Sequence, residues 1–409
     1  MPLLYSLGVY LYTLGVLLAA PFNQKASSWV RGRRKWKRLI PISNKKIVWF
    51  HCASLGEFDQ GLPLMNKLKS EDPSIFLLVT FFSPSGMEHY HKRMHPVDHA
   101  MYLPIDTKGN ARYFISRLKP SALFIVKYEF WCNLLITADK MRVPVFSVCT
   151  QLRQDQRFFK WYGTYFRKAL RSVNYFFVQQ EETAQLLRSI GITRCRVTGD
   201  TRFDRVIENR EQVQSNPKLE NFLTGKKAII FGSSWPEDEA IILPFIQKHP
   251  EELYIIAPHD ISDEHVQQIE MQIKESCCRY SELTENFSGN TVILNTIGHL
   301  SSAYSYGKLA YVGGGFSGKL HNILEPAVFG LPVIFGPKFN RFPEAKLFIS
   351  EGIAFSVSNT EQLENAIHSA EHSLNEIGIK TKMVVNQNKG AAEKIHSYLK
   401  EHYNELVGF

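Results

Sequence analysis

Strand-length apolar runs recur along this chain with room for a helix after each, and they do so in two series. From Lys46 the runs IVWFHC, IFLLVTFF, ALFIVKYEF, PVFSVCT, YFFVQQ and CRVTGD follow one another. After a polar stretch a second series opens with KAIIFGSS and continues through ELYIIAPH, NTVILN, KLAYVGGG and LPVIFG. Apolar runs bounded by turn residues and separated by helical periodicity mark strands covered on both faces, as in a parallel, doubly wound sheet. The expected fold is α/β, with two Rossmann-like domains in tandem and a cleft between them, and 409 residues are ample for both. The expected boundaries are an apolar N-terminal helix over residues 1–24, a first domain over 25–208, a linker over 209–226, a second domain over 227–388, and a polar C-terminal helix over 389–409 that folds back on the first domain.

Pro2 to Pro21 carries no charge, a length that approaches the roughly 30 Å core of a bilayer. It is expected to anchor the chain to a membrane, either by spanning it or by lying in the interface. Lys25, Arg31, Arg33, Arg34, Lys35, Lys37 and Arg38 follow directly, and a basic belt on that side holds the bulk of the protein in the cytoplasm. A secretory signal would carry its charges before the apolar stretch. Lys and Arg total 48 against 39 Asp and Glu, an excess of +9 that favours anionic partners. Because the charge is concentrated beside the apolar segment, lipid is a simpler partner than nucleic acid. The six cysteines lie scattered, without C-x-x-C spacing, and read as reduced core thiols; no metal ion and no cofactor is expected from them.

Ligands of such sheets sit beyond the carboxyl ends of the strands, which makes the strand-to-helix turns the place to look for chemistry. FHCASLGEF ends a strand and sets Glu57 at the start of a helix, placed either to take a proton from an acceptor hydroxyl or to cap that helix, which would depress its pKa. TFFSPSGMEH offers Ser83, Ser85 and Gly86 to a phosphate or sugar, or is an ordinary Ser-Pro turn. In KYEFWCNLL, Glu129 follows a buried strand and either faces the cleft or pairs with a cation.

In the second half, FGSSWPEDE puts Gly232, Ser233 and Ser234 between strand and helix, where free N–H groups can hold a phosphate. Pro258 and His259 end the next strand. YVGGGFSGKLHNILEP then joins Gly314, Gly315 and Phe316 to Lys319 and to a helix opening at His321, Asn322 and Glu325. Glycines allow close backbone approach, Lys319 neutralises phosphate, and Glu325 can accept both ribose hydroxyls. This succession implies nucleotide-sugar binding. Leu320 occupies the hydroxyl position of G-x-x-x-x-G-K-[ST], which argues against a P-loop ATPase. No D-x-D pair stands in a promising turn, which leaves helix termini and basic side chains to neutralise a leaving phosphate.

These blocks, in this order, resemble the Kdo (3-deoxy-D-manno-octulosonic acid) transferase family: H-x-A-S-x-G-E at His51–Glu57, T-x-x-S-P-S-G at Thr80–Gly86, Y-L-P-I-D at Tyr102–Asp106, E-F-W-x-N at Glu129–Asn133, G-D-T-R-F-D at Gly199–Asp204 and G-S-S at Gly232–Ser234. The resemblance implies a GT-B fold, a CMP-Kdo donor in the second lobe, a lipid A precursor as acceptor in the first, and an inverting, metal-independent transfer at the cytoplasmic side of a bacterial inner membrane. It implies Glu57 as catalytic base and Glu129 as a second important carboxylate in the cleft. Acceptor contacts would come from Ser54, Gly56, Ser83, Ser85, Gly86, Arg153 and Arg202. The chain departs from the family pattern at Pro258–His259, where an arginine usually intervenes, at Lys319–Leu320, and at Gln151, where Arg153 is expected to substitute. Two rival readings are a GT-B transferase that uses a UDP-sugar and a membrane-tethered nucleotide-sugar sensor without catalysis.

Overall fold

The computed structural model describes residues 2–407. It divides into two compact units, Met1–Arg205 with Asn388–Phe409, and Val206–Gln387. The first opens with α1 (Pro2–Ala19) and α2 (Gln24–Arg33). It then alternates β1 (Ile47–Cys52), α3 (Leu55–Glu71), β2 (Phe76–Phe81), α4 (Pro84–His89), β3 (His99–Tyr102), α5 (Lys108–Leu118), β4 (Ala122–Val126), α6 (Cys132–Lys140), β5 (Val145–Thr150), α7 (Thr164–Arg171), β6 (Tyr175–Val178), α8 (Glu181–Ser189), β7 (Cys195–Val197) and the first turn of α9 (Thr201–Glu211), whose remainder from Val206 is counted in the second unit. The second unit holds α10 (Pro217–Leu223), β8 (Ala228–Ser234), α11 (Pro236–Lys248), β9 (Tyr254–Pro258), α12 (Asp263–Ile273), β10 (Cys277–Arg279), β11 (Thr291–Ile293), α13 (Leu300–Ser305), β12 (Gly307–Val312), α14 (Leu324–Ala327), β13 (Val333–Phe335), α15 (Pro343–Ser350), β14 (Ala354–Ser356), α16 (Thr360–Glu371) and α17 (Leu374–Asn388). The last helix, α18 (Ala391–Val407), belongs to the first unit.

Each unit is built on one seven-stranded sheet, in the orders β3-β2-β1-β4-β5-β6-β7 and β10-β11-β9-β8-β12-β13-β14. Every pairing is parallel. The first chain run goes outward from β1 to β3 and then returns to β4 on the other side of β1, so the winding reverses between β1 and β4. In the second sheet it reverses between β8 and β12. The turns that follow those strands are thereby set side by side at a switch point, where the carboxyl edge of an open sheet leaves a crevice.

Burial on both faces explains why the strands read as unbroken apolar runs. All six residues of β1 are buried. Ile47 and Trp49 enter one core, while Val48, Phe50 and Cys52 enter the other. Ile395 and Leu399 of α18 complete that second core. The polar stretch 209–226 carries α10, whose Leu219 and Leu223 are buried in the second unit, with Asn216 accepting from the Leu219 amide at 3.3 Å.

The N-terminal segment corrects one expectation. α1 is a helix of 18 residues, about 27 Å at 1.5 Å per residue, and tyrosines, Ser6, Thr13 and two glycines dilute its leucines. Among the described residues no helix is long and apolar enough to cross a membrane, so the spanning alternative for residues 1–24 is not met. The helix instead exposes a row of apolar side chains, Leu3, Leu7, Leu11, Leu14 and Leu18 among them. Arg33 does not belong to a surface belt either. It is 5% exposed, lies over the rings of Trp29, Phe82 and Tyr102, and donates to the carbonyls of Leu103 at 2.9 Å and Phe82 at 2.7 Å. Burial pushes its pKa down to about 9.

Asp204, the last residue of the G-D-T-R-F-D block, ties α18 to the first unit by accepting from the amides of Gly390 at 2.5 Å and Ala392 at 3.0 Å. Asp204→Ala strips these capping bonds and leaves the amides unpaired. It is expected to cost about 1–3 kcal/mol, read as a lower urea midpoint together with faster proteolysis ahead of α18.

Candidate active site

At the switch point of the first sheet, β1 ends in Cys52 and the chain turns through Ala53 and Ser54 into α3, with Ser54 as N-cap and Glu57 at the third helical position. From there the Glu57 carboxylate reaches back and accepts from the Ala53 and Ser54 amides, the capping arrangement expected of an acid at that position. Capping should lower its pKa; the opposite happens. Glu57 is 7% exposed, and burial, reinforced by the nearby Glu129 carboxylate, raises its pKa from 4.5 to about 7. Glu57 thus fills the capping role and still keeps a pKa above the ordinary carboxylate range.

Glu129 comes from the turn after β4. Burial raises its pKa too, while Lys127 opposes the rise. Lys127 adopts φ +70°, a conformation that costs a lysine roughly 1–3 kcal/mol, and its amide is held by the Val148 carbonyl at 2.8 Å. That turn keeps a cation within reach of both carboxylates. Tyr128 interacts with both and is hydrogen-bonded by Arg153, which otherwise pairs with Asp155 at 3.4 Å.

His51, buried within β1, is not a base. Burial pushes its pKa down to about 3. Nδ1 lies 3.0 Å from the Thr80 carbonyl and Nε2 accepts from the Trp131 indole at 3.1 Å. A neutral imidazole thus fixes Trp131, which packs on Phe82 with centroids 4.6 Å apart. The second turn is lashed to the first through the Ser83 amide and the Ala53 carbonyl at 2.7 Å, and the Ser83 and Ser85 hydroxyls bond each other at 2.9 Å. Gly56 has open space where a side chain would stand, whereas a Cβ on Gly86 would meet Phe81 at 2.3 Å. Gly86 is therefore a packing residue, and Gly56 alone of the two leaves room beside Glu57. Arg202 is paired with Asp200 at 2.6 Å.

Beside these turns, within the first unit, a groove of about 1010 Å³ is walled by Glu129, Tyr128 and Trp131, by α1 through Tyr5, Gly8, Val9 and Tyr12, and by the segment after β5. Its floor is pinned by Asp106, which accepts from the Asn133 amide at 3.0 Å and the Leu134 amide at 2.8 Å at the start of α6. Tyr5 of α1 donates to the same carboxylate at 2.6 Å. Burial lifts the Asp106 pKa to about 6.

The second unit repeats the geometry with different chemistry. Asp238 of α11, fully buried, accepts from the Gly314 amide at 2.8 Å, the Trp235 amide at 3.0 Å and the Tyr311 hydroxyl at 2.7 Å. The Gly314 N–H is thus committed and is not free for phosphate. A Cβ on Gly313 would meet the Ser233 carbonyl at 2.2 Å, on Gly315 the Gly336 amide at 2.4 Å, and on Gly232 the Tyr304 hydroxyl at 2.0 Å. These glycines serve close packing of the two turns against their neighbours. Ser233 stands at φ +55°, and the Ser234 hydroxyl donates to Glu239 at 2.9 Å. The expected helix opening at His321 is a single turn, Leu324–Ala327, which Asn322 enters by accepting from the Leu324 amide and donating to Glu325, both at 3.2 Å.

What the second switch point does present is a stack. Trp235 lies on His259 with centroids 4.2 Å apart and donates its indole N–H to His321 at 3.2 Å. Lys319 sits 5.2 Å from the Trp235 ring. Burial pushes His321 down to about 4 and lowers His259 as well. Pro258 ends β9 just before His259, and Phe316, the residue after the Gly313–Gly315 turn, is half-buried.

Residues 30–205 match the family model described as 3-deoxy-D-manno-octulosonic-acid transferase (kdotransferase). The chain is 28% identical over 337 residues to the 3-deoxy-D-manno-octulosonic acid transferase of Aquifex aeolicus, covering 80% of this chain and 88% of that one. To that of Rickettsia typhi it is 25% identical over 386 residues, 88% of this chain and 80% of the other. The chain is similar to the Kdo transferases over most of its length. Its fold is shared more widely: UDP-GlcNAc 2-epimerase from Neisseria meningitidis, bound to UDP-GlcNAc, superposes with a TM-score of 0.61 at 14% identity, covering 87% of this chain and all of that one.

Within this Kdo transferase relative, sequence reasoning missed Asp238, Trp235, Lys127 and Tyr5. Asp238 had a signal: an acid three residues after Trp235 at a helix start is a capping position. Lys127 and Tyr5 had none, because a positive φ and a contact spanning 101 positions are properties of the fold.

The raised pKa of Glu57 has a sign that can be checked. The folded carboxyl binds its proton at about 7 against an ordinary 4.5, so the folded state holds the extra proton between those values and stability contributed by this group falls as pH rises through that window. Glu57→Gln, which keeps an oxygen for the Ala53 amide, is expected to raise stability above pH 7 by roughly 1–3 kcal/mol and to change it little at pH 4, read from urea unfolding at the two pH values.

Proposed function

We infer that the protein transfers Kdo from CMP-Kdo to the lipid A precursor, with inversion, and that Glu57 is the general base. The observation that carries this reading is a buried carboxyl with a pKa of about 7 at the switch point of the first sheet, in a chain related over most of its length to Kdo transferases. A base is most effective when its pKa lies near the working pH.

In this mechanism a primary hydroxyl of the glucosamine disaccharide hands its proton to a Glu57 oxygen as it attacks the anomeric carbon of Kdo. The bond to the CMP phosphate breaks on the opposite face, and CMP leaves. Lys127 stabilises the ionised form of Glu57, while Glu129 keeps its pKa high and supplies a second acceptor for sugar hydroxyls. Lys319 and the Trp235–His259–His321 stack are the donor-side groups best suited to a nucleotide: a flat aromatic face for a base and a cation for phosphate. The exposed leucines of α1, with Lys25, Arg31 and Arg34 behind them, suit an interfacial helix at the cytoplasmic surface of the inner membrane, where the acceptor resides.

Incubating the purified protein with CMP-Kdo and a tetra-acyl lipid A precursor is expected to add the mass of Kdo to the lipid, with inhibition by CMP and not by UDP. Glu57→Gln is expected to keep CMP binding and lose turnover by at least about 10²-fold. Wild-type turnover should climb with pH and reach half its plateau near the Glu57 pKa of about 7. Normal turnover in Glu57→Gln would remove the base assignment.

A further inference from the structure

Between Leu152 and Tyr165, both buried in the first unit's core, the chain leaves the body and presents Trp161 with 90% of its surface exposed and Tyr162 with 41%. A large aromatic side chain left in water forgoes the stabilisation that burying its apolar area would give. A floppy loop would let it fold down. This one is built. Phe158 is buried at its base, Arg167 donates to the carbonyls of Phe158 at 3.0 Å and Lys160 at 2.9 Å, the Gly163 amide closes on Lys160 at 2.9 Å, and a Cβ on Gly163 would meet the Arg157 carbonyl at 2.3 Å. The tip is therefore held outward by satisfied backbone groups.

The surroundings name the partner. From Gln151 to Arg171 the chain carries Arg153, Arg157, Lys160, Arg167, Lys168 and Arg171 against the single carboxylate Asp155, and Arg157, Lys168 and Arg171 are exposed. The base of the same segment packs on α1: Tyr5 lies 5.6 Å from Tyr165 and 6.0 Å from Phe166, centroid to centroid. α1 is the helix that leaves its leucines exposed. An indole with a polar N–H beside a cluster of cations, next to an unpartnered apolar helix, has the chemistry of the interfacial zone of an anionic bilayer, where Trp and Tyr sit at headgroup level and Lys and Arg meet phosphate.

We propose that the loop Arg153–Gly163 is a second, independent membrane contact, with Trp161 inserted at the headgroup level of an anionic bilayer beside α1. The proposal rests on the membrane part of the function inferred above and adds a residue-specific contact to it. Two weak contacts on one rigid unit hold a surface much more firmly than either alone, and they fix the orientation of the groove walled by α1 and this segment.

The test is flotation of the full chain with vesicles of phosphatidylethanolamine and phosphatidylglycerol, and with vesicles of phosphatidylcholine alone. Trp161→Ala is expected to lower partition onto the anionic vesicles by at least about fivefold, Trp161→Phe to restore most of it, and Met271→Ala, an exposed apolar residue of the second unit, to leave it unchanged. Lys160→Gln with Lys168→Gln is expected to lower anionic partition by about fivefold per charge removed and to leave phosphatidylcholine unaffected. A parallel variant, Leu11→Ser with Leu18→Ser, separates this proposal from the α1 reading. Release by the α1 variant together with wild-type flotation of Trp161→Ala overturns the loop contact and leaves α1 as the anchor. Wild-type protein that stays in solution overturns both. Self-association abolished by Trp161→Ala, with no effect on vesicles, assigns the loop to a second copy of the chain and overturns the lipid contact. Unchanged thermal midpoints confirm that the variants are folded.

Discussion

The first unit's chemistry depends on two backbone amides. Ala53 and Ser54, in the turn between β1 and α3, bind the Glu57 carboxylate and hold it at the carboxyl edge of the sheet. Without them a carboxylate so little exposed would be driven much further toward its neutral form. With them, burial and Glu129 pull the pKa up while amides and Lys127 pull it down, and the balance falls near neutrality. The switch point between β1 and β4 makes this balance available, because it puts the second carboxylate and the cation on the adjacent strand end.

The division of the chain into two parallel sheets was legible because strands covered on both faces leave long apolar runs, as in IVWFHC, and because a parallel sheet needs a helix after each strand. Glu57 and Glu129 were legible as turn residues, and the family's blocks singled them out. Their electrostatics were not: capping predicts a depressed pKa for Glu57, and only the burial of that turn and the approach of Glu129 reverse it. The helix expected to begin at His321 begins at Leu324, since Asn322 turns back to bond Leu324 and Glu325. Arg33, one of a run of basic residues, gave no sign that it alone would be buried among aromatic rings and carbonyls.

The glycines of the second unit show how one residue type supports two opposite expectations. Three in a row suggest bare amides waiting for a phosphate. Asp238 takes the Gly314 amide, and Gly313 and Gly315 lie against other backbone, so the run exists to let two turns approach each other. The faces left for a ligand are then aromatic and cationic, those of Trp235, His259 and Lys319. The same sheet topology thus yields a carboxylate site in one unit and a stacking site in the other, because the turns after equivalent strands carry different side chains.

The hydrogen bond from Tyr5 to Asp106 changes what the N-terminal helix is. Asp106 holds the first turn of α6, and α6 follows directly on the turn that carries Glu129 and Trp131. A shortened chain beginning at Gln24, the usual remedy for a protein that resists handling in water, would lose Tyr5, open one wall of the groove and leave a buried carboxyl without its phenol. What looks in the sequence like a detachable anchor is tied into the first unit through Tyr5, and solubility gained by cutting it off would come at the expense of the geometry one turn away from Glu129.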